Sequence, residues 1–166
     1  MIYSSQAILL ADTFQKVRDL TKWYLSLLKQ VDPYKKWEVN GVEINSVAWL
    51  AAHITWAENF LILSGTGGAP VKADWLNHYQ LGCDGSLHTP QPEMKMILDT
   101  LKEVHIQATE HLLGLSDEKL NEPNPHNFAF GGINTNRILI QHAIRHEAMH
   151  TGHLSWLCKI NKIESV

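Results

Sequence analysis

Apolar residues recur every three or four positions through four long stretches of this chain, and that period confines it to helices packed on one another. Residues 6–31 carry Leu10, Phe14, Val17, Leu20, Tyr24, Leu27, Leu28 and Val31 in this spacing, and Pro33 stops the run. A second helix, capped by Asn45 or Ser46, carries Val47, Leu50, Ala51, Ile54, Ala57, Phe60 and Leu61 and ends in Ser64-Gly65-Thr66-Gly67-Gly68. A third runs from about Glu93 to Leu113, and a fourth, capped by Asn134, runs to about Ile160. Asn40-Gly41 marks a turn within a polar connection, and no convincing set of strands accompanies it. The expectation is an all-α protein, a four-helix bundle in one domain over residues 1–166, with long loops at 65–92 and 116–133.

The rest of the composition removes whole classes of function. A chain of 166 residues buries on the order of 70% of its unfolded surface on folding, enough for a core without staples. With 45% hydrophobic and 19% charged residues it is neither a disordered tail nor a fibre. Lys and Arg number 14 against 17 Asp and Glu, a net charge of -3, so nothing draws the chain to nucleic acid or to an anionic membrane surface. Cys83 and Cys158 make no disulfide framework and no CxxC motif, which fits a reducing compartment. Residues 1–15 lack the basic and apolar regions of a secretory leader, and no run is long enough to span a bilayer, so a cytoplasmic location is expected. The glycine run after the second helix lacks the Gly-Lys-Ser/Thr of a phosphate loop and follows a helix instead of a strand.

Histidine is the residue in excess. The chain has ten, and four of them, His142, His146, His150 and His153, fall within residues 142–153, where an even spread puts roughly one. At about 100° per residue the four project from one side of the last helix, the side that also carries Leu139, Ala143, Met149 and Leu157, while Arg137, Arg145 and Thr151 take the other. Imidazoles crowded in an interior cannot carry charge cheaply, whereas neutral ones coordinate a divalent cation, and the i, i+4 pair His146 and His150 brings two to one ion. His53, among the apolar positions of the second helix, is the candidate third ligand. His142 and His153 are expected to line the pocket or to support the ligands from behind. His105 and His111 read as boundary residues, and His78, His88 and His126 as solvated loop residues.

His146-Glu147-Ala148-Met149-His150 also spells H-E-x-x-H, the zinc peptidase pattern in which the glutamate is the general base. The wider pattern is missing: metzincins ask for Gly and His at 153 and 156, where this chain has His153 and Trp156, and Glu164 is the lone acid after His150. Glu147 is then either a group supporting the site or a salt-bridge partner.

Over nearly its whole length the chain resembles the DinB/YfiT-like superfamily of metal-dependent enzymes. The likeness rests on Leu50-Ala51-Ala52-His53-Ile54 in the second helix and on His142 with His146-Glu147-Ala148-Met149-His150-Thr151-Gly152-His153 in the last, where His153 replaces the family's usual glutamine. The resemblance implies a metal triad of His53, His146 and His150. It also implies a reaction of the kind its members perform, thiol S-transfer or isomerisation with a low-molecular-weight thiol, or hydrolysis, on a small molecule; others are DNA-damage-inducible. Zinc or nickel suits three imidazoles, with iron, cobalt or copper acceptable. Neither Cys83, in a loop, nor Cys158 is placed to supply the thiol, so a diffusible cosubstrate is expected. The rival reading is a non-catalytic metal-binding stress-response module, with a homodimer as its possible assembly.

Overall fold

The computed structural model describes residues 5–83 and 91–165 and is mostly helical. Helix α1 (Gln6–Leu27) begins at Ser5, whose hydroxyl accepts from the Ile8 amide, and closes in a 3-10 turn, Leu28–Gln30. A hairpin follows, β1 (Trp37–Val39) and β2 (Val42–Ile44), antiparallel with Trp37 opposite Ile44. Asn40 and Gly41 both take positive φ, 52° and 78°, the backbone that a two-residue turn needs to match the twist of its strands. The strands are therefore an addition to the all-helical expectation, each too short for its alternation to register in the sequence.

Helix α2 (Val47–Glu58) is capped by Ser46, which accepts from the Trp49 amide at 3.1 Å, and continues through a π turn, Asn59–Leu63, and a 3-10 turn, Ser64–Thr66. The stretch read as a long loop holds a 3-10 segment, Asp74–Tyr79, whose Leu76 and Tyr79 are buried. Helix α3 (Met94–Leu113) precedes a short α4 (Asp117–Asn121) inside the second expected loop. Helix α5 (Asn136–Ile160) starts at Thr135, not at Asn134. Asn134 is already committed: its amide donates to Asn127 Oδ1 and its carbonyl accepts from Asn124, which leaves the cap to its neighbour.

α1 packs on α5 and α3, and α2 packs on α3 and α5. Their apolar faces form two cores. One gathers Leu28, Leu50, Ile54, Ile97, Leu154 and Leu157, the other Phe14, Ile62, Val104, Leu112, Leu139 and Ile140. Along all the long helices the residues between the two cores are polar and buried: Arg18 and Thr21 on α1, His53 and Glu58 on α2, His105 on α3, and Glu147, His150 and Thr151 on α5. Two sequence assignments change here. Leu20, read as core, is 47% exposed, and Thr151, read as surface, is 2% exposed. α1 is turned so that Arg18 and Thr21 face α5, and Thr21 hydrogen-bonds both Glu147 Oε1 (2.8 Å) and the Thr151 hydroxyl (2.7 Å).

Candidate metal centre

The polar layer has two compartments, and α5 supplies both. Successive residues of a helix point about 100° apart, so His146 and His150 leave α5 in one direction while Glu147 and Thr151 leave it in another.

In the first compartment His53 from α2 meets His146 and His150. The Nε2 atoms of His53 and His146 lie 3.2 Å apart, as do those of His146 and His150, and one ring nitrogen from each of the three falls within 4.8 Å of the others. His53 and His150 are buried and His146 is half-buried. Burial, reinforced by neighbouring histidines, pushes His146 down to about 4 and His150 down to about 3. His53 is lowered by burial as well, with a hydrogen bond to the Tyr79 carbonyl opposing the shift. All three are therefore neutral near pH 7 and can offer lone pairs.

Groups around the ligating edges set their orientation. His53 Nδ1 donates to the Tyr79 carbonyl at 2.6 Å, which leaves its Nε2 lone pair facing the other two rings. His53 is also stacked between Trp49 (4.7 Å, 11°) and Trp56 (5.7 Å, 24°), and Trp56 in turn stacks on Phe60. On α5, the Nδ1 atoms of His150 and His153 are 3.2 Å apart, and His142 lies flat against Phe130 at 3.9 Å.

The three histidines open into a cavity of about 660 Å³ whose walls include Trp49, Trp56, Phe60, Phe128, Phe130 and Met149. His142 lines it and His153 does not. Cys83, in a loop as expected, also lines it, with its sulfur outside the converging nitrogen group. Cys158 is fully buried in the core.

The second compartment decides what Glu147 does. Arg18 Nε and Nη2 donate to its two oxygens at 2.7 and 2.8 Å, and Thr21 donates to Oε1 as well. Arg18 Nη2 also reaches Glu58 Oε2 at 2.7 Å, and His105 Nδ1 lies 2.8 Å from Glu58 Oε1. Burial works against the Arg18 charge, and the two carboxylates outweigh it, so the guanidinium is held more firmly protonated than usual. Both oxygens of Glu147 are thus occupied behind the histidines, and neither is available as a general base in front of them. His105 belongs to this buried network and is not a boundary residue.

Of the remaining histidines, His111 contacts Thr66, while His126 is exposed, contacts Ser64 and stacks on Phe60. His78 is exposed, and His88 lies outside the described residues. The residues that sequence reasoning passed over are Arg18, Tyr79, Trp49 and Trp56. The two tryptophans had a signal, since positions 49, 53, 56 and 60 are one aromatic face of a helix. Tyr79 had none, because it acts through its backbone carbonyl.

In fold the chain is similar to a conserved protein from Enterococcus faecalis, known from its crystal structure, with a TM-score of 0.67 and 16% identity over 93% of this chain and 95% of that one. No curated protein matches the sequence. The model of the DinB superfamily matches residues 13–154, a span that includes all three converging histidines and both compartments of the polar layer, and the chain therefore belongs to that superfamily.

Proposed function

We propose that this protein is a metal-dependent enzyme acting on a small molecule, a thiol S-transferase or a hydrolase, in which a four-helix bundle holds one divalent ion on His53, His146 and His150. The observation that carries the reading is the convergence of three neutral imidazoles from two helices at an open cavity. The donor set fits such an ion: tetrahedral zinc with bonds near 2.05 Å needs ligand nitrogens about 3.3 Å apart, against 3.2 Å for two of the pairs here. When bound, a zinc or nickel ion supplies a Lewis acid that acidifies water or a thiol. The chain's own residues do the rest. The Tyr79 carbonyl fixes the tautomer of His53, and His153 accepts the Nδ1 proton that His150 must keep if its Nε2 is to bind. The aromatic walls exclude water from the approaching substrate.

The test is cobalt substitution. Loaded protein is expected to take up one ion, to show a near-ultraviolet charge-transfer band with a small thiol, and to accelerate addition of that thiol to a haloaromatic or epoxide. Silence with thiols alongside turnover of an ester or amide selects hydrolysis, and failure to take up metal overturns the whole reading.

Acid dependence follows from the lowered imidazoles. In the unfolded chain these histidines protonate near ~6.5, while in the fold His146 holds out to about 4 and His150 to about 3. Between those limits the unfolded chain binds more protons, so the metal-free fold has its full histidine contribution above ~6.5 and loses it as the pH falls towards 4. In the folded protein protons compete for His146 and His150 only near the lower values, so these two ligands are expected to hold the affinity level down to about pH 5 and to let it fall below. Chelator competition across this range measures it. A decline that already starts near pH 7 would contradict the burial of the ligand nitrogens.

A further inference from the structure

The walls of the cavity restrict what can occupy it more sharply than the histidines do. Among the described residues that line it there is no Asp, Glu, Lys or Arg. The charged groups of the polar layer, Arg18, Glu58 and Glu147, are turned into the second compartment and satisfied there. Trp49, Trp56, Phe60, Phe128, Phe130 and Met149 give the wall its apolar character, and the volume, about 660 Å³, is that of a site for a molecule of drug size. Beside these described residues, the one concentrated charge would be the ion itself. Three neutral imidazoles leave its two positive charges uncompensated, and among the described residues no carboxylate lines the cavity to balance them.

We infer that the ligand of this cavity is an uncharged aromatic or aliphatic body bearing a single anionic donor atom, a thiolate in the transferase reading. The inference rests on the metal site proposed above. The donor neutralises part of the ion's charge, and the body replaces water along the aromatic walls. A second charge on the body finds no charged side chain among the described residues of the wall and loses its hydration on entry, which costs affinity. Thiols decorated with several carboxylates or amines are thereby disfavoured, and a hydrophobic thiol or a hydrophobic electrophile is selected.

Two probes isolate the claim. Benzyl mercaptan and 4-(mercaptomethyl)benzoate share a ring and a thiol and differ by one carboxylate placed too far from the sulfur to chelate the same ion. Zinc uptake is measured first by elemental analysis, and binding of each thiol to the zinc-loaded protein is then followed by tryptophan fluorescence and calorimetry. The expected result is at least tenfold tighter binding of benzyl mercaptan, and binding of both thiols is expected to weaken in His150→Ala, which lacks the ion they share. Phe128→Arg, at the partly exposed rim, is expected to narrow the gap by supplying the missing cation. Benzyl methyl sulfide, which has the body without the anionic donor, is expected to bind more weakly than the thiol and equally with or without zinc. Failure to take up zinc overturns the metal site and the anionic donor with it. Zinc uptake with equal or tighter binding of the carboxylate probe overturns the inference about the body and leaves the metal site standing.

Discussion

Alanine in place of His53, His146 or His150, one at a time, is expected to abolish tight zinc binding while leaving helical circular dichroism nearly unchanged. In the proposed site each residue would supply one of three bonds to the ion, and an ion left on two imidazoles would exchange with solvent and chelator. The loss should exceed the ~100-fold that removal of an outer hydrogen-bond partner costs. The fold should tolerate the change because the histidines face a cavity, so truncation enlarges an existing space and does not open a void in either packed core. His142→Ala should keep the metal, since His142 stacks on Phe130 outside the converging group. His153→Ala should keep it at stoichiometry with an affinity lowered about tenfold, because only the orienting partner of His150 is gone. Elemental analysis and competition with a zinc indicator separate these outcomes, and full occupancy in any one of the three ligand variants removes that residue from the site.

The second large effect lies in the other compartment. Arg18→Met is expected to destabilise the protein by about 3–5 kcal/mol, because it leaves the buried carboxylates of Glu58 and Glu147 without their shared cation. Against a total stability of ~5–15 kcal/mol this brings the domain close to unfolding. Urea denaturation should show a lower midpoint with an unchanged slope. Combining Arg18→Met with Glu58→Gln and Glu147→Gln should recover part of the loss, since a neutral amide beside a thioether carries no orphaned charge. A wild-type midpoint for Arg18→Met would mean that the ion pairs contribute nothing to stability.

These two experiments address two halves of one layer, and the halves were unequally legible in the sequence. The histidines could be read because a spacing of four on a helix is a statement about direction, and because His53 stood among apolar positions of another helix. Arg18 could not. It sits between Val17 and Asp19 in a run with ordinary surface chemistry, and its burial depends on Glu147, 129 positions later. The same long-range partnership explains why Leu20 turned outward and Thr151 inward. Helix limits followed local rules at Ser46, ended short of Pro33 where α1 tightens into a 3-10 turn at Leu28–Gln30, and missed by one residue at Thr135, where a contact to Asn127 had taken the better cap. The hairpin at Trp37–Ile44 showed only its turn, since three residues on either side are too few for an alternating pattern to stand out.

The hydrogen bond from His53 to the Tyr79 carbonyl has a bearing on how the connection between α2 and α3 can vary. That carbonyl belongs to the Asp74–Tyr79 turn, and Gln80 to Cys83, which follow it directly, form part of the cavity wall. Any displacement of this turn acts at once on the cavity wall and on the ring of His53 that faces His146 and His150. Insertions before residue 74 leave that linkage intact, whereas one between Leu76 and Tyr79 frees the imidazole to rotate. The turn therefore behaves as a tether that holds the His53 ring to one stretch of the cavity wall.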